Sequence, residues 1–229
     1  MRLDRFLTKQ AAIGNREARI QLATGQVRVD GEVVRDGLLQ INELQRIELG
    51  DRLLQARSER YYMLHKPKGY VSATVDNEHP TVLDLLDLAD KDDLHIGGRL
   101  DLNTSGLLIL TNNGRWSRRL TQPEEKIPKV YRVETQHPIE AEYAEVFRRG
   151  IYFAYENLTT LPAELEQLGA NSARLTIYEG RYHQVKRMFG HFRNAVVGLH
   201  RESMGEILLD PALAEGEYRA LTPEEVASV

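Results

Sequence analysis

Asp101 is the residue of this sequence whose setting most clearly suits chemistry. It follows two glycines and Arg99, and it precedes the small polar run 103–106, which leads into the apolar stretch 107–110. An aspartate in a loop more often bonds its own backbone in a turn. In this loop the carboxylate could instead meet a substrate, either as a nucleophile or as a general base.

Residue types exclude several other chemistries. The chain has no cysteine, so disulfides, thiolate nucleophiles and thiolate metal ligands are ruled out. His183, His191 and His200 lie in one short segment, but arginines surround them and nearby cations disfavour a metal ion. We therefore expect no metal site, and catalysis must come from carboxylates, histidines, hydroxyls or cations.

Positive charge is unevenly distributed, although the formal net charge is -4. Residues 1–28 hold six basic side chains against two acidic ones, and a second basic stretch spans 179–201. Two separated basic patches suggest two surfaces that touch one polyanion. The N-terminus is charged from Arg2, and no run approaches the roughly 18 apolar residues of a membrane span. We expect a cytoplasmic protein that does not engage membranes.

The first part of the chain has the pattern of two short helices and a hairpin. Asn15 is predicted to cap a second helix over 16–23, and segment 27–34 alternates around Asp-Gly, which favours a tight primed turn. The side chains predicted to be buried are Leu3, Phe6, Ile20 and Leu22, and those predicted to be exposed are Arg2, Arg5, Lys9, Arg16 and Arg19.

This layout resembles the S4 RNA-binding domain. Its pattern of Arg-Leu-Asp at 2–4, an arginine opening the second helix, and Gly-x-Val-x-Val-Asp-Gly at 25–31 is met here. The family usually has serine where this chain has Asn15. The resemblance implies that the helix face of Arg16 contacts RNA.

The polar segment 55–60 is the predicted linker, so we expect an S4-like domain over 1–58 and a second domain over 59–229. In the second domain, strands are predicted at 61–64, 107–110 and 173–177, and helices at 82–86 and 141–149. Thr222 precedes Pro223 in a capping box near the end. Without a regular βαβ repeat, these elements predict an α+β fold.

Four runs in order resemble signatures of the RsuA/RluB/RluE/RluF family of pseudouridine synthases. They are KPKGY at 66–70, GRLDLNTSGLLILTN at 98–112, KVY at 129–131 and EGRYHQVKRMF at 179–189. The last run, together with LHR at 199–201, looks closest to the RsuA branch, which modifies 16S rRNA. The resemblance covers essentially the whole chain and implies a mixed, mainly antiparallel sheet with flanking helices.

The same resemblance implies a site. Asp101 would be the catalytic aspartate of uridine-to-pseudouridine isomerisation, a rearrangement that needs no cofactor. Lys186 would be the cation that keeps this carboxylate ionised, although many relatives have arginine there. Tyr131 would stack on the uracil and help move a proton from C5, and Leu199 would pack on its other side. Whether Asp101 acts as a nucleophile or as a base that yields a glycal stays open.

A uridine in folded RNA must leave its stack to be modified, and cations would hold the flanking phosphates. The predicted RNA-binding residues are Arg2, Arg5, Lys9, Arg16, Arg19, Lys66, Lys68, Arg99, Arg181, Gln184, Arg187 and Arg201. The expected partner is 16S rRNA or the assembling small ribosomal subunit, bound by a monomer without a nucleotide cofactor.

Other functions fit part of the pattern. A pseudouridine synthase acting on 23S rRNA or tRNA would share these motifs. A non-catalytic S4-type rRNA-binding protein explains residues 1–58 but leaves the run at 98–112 without a role. A nucleosidase would use Asp101 as its nucleophile, but glycoside hydrolysis usually needs a second carboxylate.

Overall fold

The computed structural model describes residues 1–56 and 58–229, which form two units. The first is Met1–Glu59 and the second is Arg60–Val229. The predicted linker at 55–60 includes Arg57, which lies outside the described residues.

The N-terminal unit combines two helices with a small antiparallel sheet. The helices are α1 (Leu3–Gln10) and α2 (Asn15–Ala23), and the strands are β1 (Val27–Val29), β2 (Glu32–Val33), β3 (Ile47–Leu49) and β4 (Arg52–Gln55), in the order β2-β1-β3-β4. Leu3, Phe6 and Leu22 are buried in its core. Asp30 and Gly31 have φ angles of 53° and 87°, which confirms the predicted primed turn between β1 and β2.

Two local predictions in this unit are wrong. Asn15 is the first helical residue of α2, because Gly14 takes the extended N-cap conformation and no side chain caps the helix. Ile20 is 45% exposed, because α2 buries Ala18 and Leu22. Those two residues share one helix face at i, i+4 spacing, and Ile20 lies midway between them on the other face.

The second unit is built around one large sheet. The strands of that sheet are β5 (Tyr61–Lys66), β6 (His95–Gly97), β7 (Ser105–Thr111), β8 (Lys129–Thr135), β11 (Glu164–Gly169), β12 (Ser172–Ile177), β13 (Val196–Met204), β14 (Ile207–Leu208) and β15 (Tyr218–Ala220), while β9 (Tyr152–Phe153) and β10 (Leu158–Thr159) pair in a separate two-stranded sheet. Its helices are α3 (Gly114–Thr121), α4 (Glu142–Arg149), α5 (Gln184–Gly190) and α6 (Pro223–Ala227), with short 3-10 helices at Val82–Leu85, Lys91–Asp93 and Pro123–Glu125.

The strand order is β11-β12-β8-β13-β7-β5-β15, with β14 beside β13 and β6 beside β7. Among the described strands of this sheet only β13 and β7 pair in parallel, so the predicted mixed, mainly antiparallel sheet is confirmed. Strand β7 is buried at every position, and alternate residues enter two different apolar clusters. A central strand covered on both faces accounts for its uninterrupted apolar run.

The predicted strands at 61–64, 107–110 and 173–177 are confirmed as parts of β5, β7 and β12. The predicted helix at 82–86 is instead a 3-10 helix, closed by a capping box between Thr81 and Asp84. Helix α4 begins one residue later than predicted, with Ala141 as its N-cap. The capping box of Thr222 at the start of α6 is confirmed. None of the described helices is long and apolar enough to cross a membrane.

Candidate active site

The loop between β6 and β7 carries Asp101. The backbone N–H of Thr104 donates to the carbonyl oxygen of Asp101 at 3.0 Å, so the loop closes as a tight turn. The Asp101 carboxylate is not used in that turn. Its Oδ2 accepts a hydrogen bond from Nζ of Lys186 at 2.9 Å, and its side chain remains 31% exposed. The side chain is therefore held by a cation and open to a ligand.

Helix α5 supplies the groups on the other side of Asp101. Lys186 lies in its first turn, and His183 is its N-cap residue, with a left-handed φ of 48°. Nε2 of His183 lies 3.5 Å from Oδ1 of Asp101. The two carboxylate oxygens thus face two different nitrogen groups from the start of one helix.

A cavity of about 630 Å³ opens beside this carboxylate. Tyr131 on β8 and Leu199 on β13 line it, and they are 7% and 8% exposed. Antiparallel pairing puts Tyr131 opposite Arg201, whose Nη1 lies 3.4 Å from the tyrosine hydroxyl oxygen. The structure therefore brings Asp101, Lys186, Tyr131 and Leu199 to one cavity.

Lys66 holds the Asp101 loop through hydrogen bonds from its buried side chain. Its ammonium group donates to the carbonyl oxygens of Thr104 at 2.8 Å, Pro67 at 2.9 Å and Asp101 at 3.2 Å. The side chain is 0% exposed, and burial lowers the pKa of Lys66 to about 8. The prediction that Lys66 contacts the RNA backbone is wrong, because no part of it reaches the surface.

Arg201 is also mispredicted. It is 1% exposed, and its guanidinium donates to the carbonyl oxygens of Gly98 at 2.7 Å and Leu107 at 2.8 Å. A guanidinium committed to backbone oxygens inside the protein cannot hold a phosphate at the surface. Arg201 instead ties the Asp101 loop and β7 to β13.

Two further predicted RNA contacts are occupied within the protein. Gln184 is 3% exposed. Its Nε2 donates a hydrogen bond to Glu179, and its Oε1 accepts one from the backbone N–H of Arg181. Arg187 donates through both Nη atoms to Glu156 at 2.5 and 2.6 Å, and its guanidinium covers the ring of Phe153. The RNA contact predicted for Gln184 is wrong because its side chain is buried, and the structure gives Arg187 a carboxylate partner in place of a phosphate.

The remaining predicted RNA-binding cations do reach the surface. Arg99 and Lys68 are exposed, while Arg181 is half-buried and bonds Glu179. In the N-terminal unit the exposed cations are Arg5, Lys9, Arg16 and Arg19, and Arg2 is half-buried and paired with Asp4.

Three cavity residues were given no role from the sequence. Lys129 is 5% exposed, donates to the carbonyl oxygen of Ile127 at 3.1 Å, and has its pKa lowered to about 8, first by burial and then by Arg201. Tyr182 and His183 line the mouth of the cavity with stacked rings. Two adjacent aromatic rings in a cation-rich run, without apolar periodicity, were the signal that could have marked them. Among the described residues no three His, Asp or Glu side chains converge as metal ligands.

Comparisons with known proteins agree on one family. The family model described as RNA pseudouridylate synthase matches residues 60–191. The chain is 58% identical over 230 residues to "Ribosomal small subunit pseudouridine synthase A" of Pseudomonas aeruginosa, with 100% of both chains covered. It is 45% identical to the protein of that name from Escherichia coli, again over 100% of both. A solved structure titled "Crystal structure of pseudouridylate synthase" matches with a TM-score of 0.74 and 40% identity, covering 100% of this chain and 99% of the other.

Proposed function

This chain belongs to the RNA pseudouridylate synthase family, and from that premise we propose that it isomerises one uridine of 16S rRNA to pseudouridine through Asp101. The choice of substrate is supported by two relatives that match this chain from end to end and are named for the small ribosomal subunit. A ribosomal substrate implies a cytoplasmic enzyme.

The observation that carries the proposal is the Asp101–Lys186 contact at 2.9 Å inside the cavity. Among the described residues that line the cavity, Asp101 is the only carboxylate. Hydrolysis of a glycosidic bond usually needs two carboxyl groups, whereas this isomerisation needs one. The site therefore favours the synthase over a nucleosidase.

The reaction breaks the bond from ribose C1′ to uracil N1 and forms a bond from C1′ to C5. Asp101 acts either by attacking the sugar or base, or by removing a ribose proton to give a glycal. Both routes use the negatively charged carboxylate, and the ammonium group of Lys186 pairs with it at 2.9 Å. The reaction rearranges atoms within one nucleotide and consumes no other molecule, so it needs no nucleotide cofactor.

The target base would leave its stack and enter the cavity between Tyr131 and Leu199. Extrusion costs roughly a few kcal/mol, which contacts with the pocket must offset. The aromatic ring of Tyr131 provides a stacking surface, and Leu199 provides an apolar one. In the N-terminal unit, the exposed cations of α1 and α2 would hold phosphates and so position the RNA, whose shape would select the target.

The first experiment is to incubate the purified protein with a 16S rRNA transcript and map pseudouridine by carbodiimide-adduct primer extension. Asp101→Asn is expected to make none, because an amide is neither nucleophile nor base, and Asp92→Asn, at an exposed acid outside the cavity, is the matched control. An active Asp101→Asn would overturn the role given to Asp101.

Parallel reactions with 23S rRNA and tRNA transcripts test the substrate. Release of free uracil would favour a nucleosidase. Absence of pseudouridine, on naked rRNA and on partly assembled small subunits alike, would favour an rRNA-binding protein without chemistry.

We also propose that the enzyme is a monomer, with a light-scattering mass near 26.2 kDa.

A further inference from the structure

An aromatic pair stands at the mouth of the cavity. The rings of Tyr182 and His183 are stacked, with centroids 3.9 Å apart and planes 19° apart. Tyr182 is 77% exposed, although it lies beside a well-packed site. One face of its ring is therefore covered by His183, and the other face is open to solvent.

The pair is held in place on both sides. His183 adopts a left-handed backbone conformation, with φ at 48°, which is costly for a residue with a side chain. The backbone carbonyl of Tyr182 accepts a hydrogen bond from Arg187 at 3.3 Å, and Arg187 is itself bound by Glu156. The backbone of Tyr182 is thus held in position, and His183 packs against one face of its ring.

That position is next to the reacting group. Nε2 of His183 lies 3.5 Å from Oδ1 of Asp101, so Tyr182 stands one ring farther from the carboxylate. Arg99, which is exposed, and Arg181, which is half-buried, line the same cavity. Their positive charges suit the phosphates of an RNA backbone. Every nucleobase has a flat face that can stack on an aromatic side chain, whatever its sequence.

We propose that the open face of Tyr182 is a stacking subsite for the base of a nucleotide next to the target uridine. This inference rests on the proposed function, because it takes the uridine to lie at Asp101. The subsite holds the neighbouring base after the target has left the stack and keeps the RNA open at the mouth of the cavity. His183 supports the platform from behind and links its position to that of Asp101.

The test compares Tyr182→Ala with Tyr182→Phe, which keeps the ring, and with Tyr155→Ala, which removes a tyrosine that is 97% exposed and does not line the cavity. Equilibrium binding of the 16S rRNA transcript is measured by filter retention with Asp101→Asn present in every protein. Tyr182→Ala is expected to weaken binding roughly 5- to 150-fold, the range that loss of one base–aromatic stack produces. Tyr182→Phe and Tyr155→Ala are expected to bind as the parent does. Parent-like binding by Tyr182→Ala would overturn the subsite.

A second arm identifies the stacked base. In a synthetic rRNA segment around the mapped uridine, the base of each neighbouring nucleotide is removed in turn. Removal of the stacked base should weaken binding by the parent protein and leave Tyr182→Ala unaffected. An equal loss in both proteins at every position would refute the proposal. Because binding is read without turnover, it separates failure of the subsite from failure of the proposed activity, which is read by pseudouridine mapping with Asp101 intact.

Discussion

Gly106 on β7 and Arg201 on β13 approach each other so closely that no side chain fits between them. A Cβ atom built on Gly106 would lie 2.5 Å from the backbone nitrogen of Arg201. Gly106 also has a φ of +111°, a conformation that favours glycine. These residues face each other in the parallel pairing that joins the Asp101 loop to the strand carrying Leu199.

Gly106→Ala is therefore expected to lower the free energy of unfolding by about 3 kcal/mol or more, because it adds backbone strain and forces two strands apart. Urea denaturation measures the change. Gly190→Ala, at the end of α5, is the matched control: its added Cβ meets nothing within 4 Å, and because alanine is the better helix former we expect no loss of stability. Equal stabilities for the two variants would contradict the close approach.

Lys66→Met tests whether the buried ammonium group holds the Asp101 loop. Loss of its hydrogen bonds leaves the carbonyl oxygens of Pro67 and Thr104 without a donor, and we expect a loss of about 1–3 kcal/mol in unfolding free energy. Turnover should fall because Asp101 is no longer held, whereas affinity for rRNA should be retained. Lys68→Met, at the exposed lysine of the same segment, should leave stability unchanged. A weaker affinity without loss of stability in Lys66→Met would show an RNA contact instead.

The buried ammonium group of Lys129 should make the stability of the protein depend on pH. Burial lowers its pKa from 10.5 to about 8, so between these values the unfolded chain binds more protons than the folded one. Stability must then rise with pH across that window, because the folded state loses the cost of a buried positive charge as Lys129 releases its proton. Lys129→Met removes this contribution. Its unfolding free energy relative to wild type should fall by roughly 2–3 kcal/mol between pH 7 and pH 10.

Urea unfolding at constant ionic strength measures that difference. Lys66 is present in both proteins, so its own titration cancels in the comparison. Lys9→Met, at an exposed lysine, serves as the control and should show the same pH dependence as wild type. A Lys129→Met curve parallel to that of wild type would mean that Lys129 titrates in the folded protein as it does in the unfolded chain.

Local patterns predicted the elements that depend on neighbouring residues. The Asp-Gly turn and strand β7 agree with the prediction, because a turn type and a strand covered on both faces each depend on the types of consecutive residues. The cap of α2 was misplaced by one residue, because Gly14 and Asn15 can both serve as an N-cap.

Burial of charge could not be predicted in the same way. The turn-forming run KPKGY predicts a surface cation at Lys66, but the ammonium group donates to Thr104, which is 38 residues away in the sequence. Arg201 was misread for the same reason, since the oxygens that receive its hydrogen bonds belong to residues 98 and 107. Lys186 and Asp101 are 85 residues apart, and only resemblance to a family suggested that they meet.

Lys186→Met tests the electrostatic role of that contact. Without the ammonium group, Asp101 loses its charged partner, and we expect kcat to fall on the order of 10²-fold with little change in KM. Lys186→Arg keeps the positive charge beside Asp101 and should recover most of the rate, which a purely structural role would not explain. Pseudouridine formation under single-turnover conditions measures the effect. A Lys186→Met enzyme as fast as wild type would remove Lys186 from the mechanism.

Arg99 and Arg187 are both basic residues of the second unit, but the structure predicts opposite effects on RNA binding. Arg99 is exposed at the cavity, whereas Arg187 is bound by Glu156. The logarithm of affinity falls with the logarithm of salt concentration in proportion to the phosphates neutralised, so Arg99→Met should reduce that slope by roughly one. Arg187→Met should leave the slope unchanged and lower the unfolding free energy by about 1 kcal/mol or less. A similar drop in slope for both variants would show that Arg187 exchanges Glu156 for a phosphate when RNA binds.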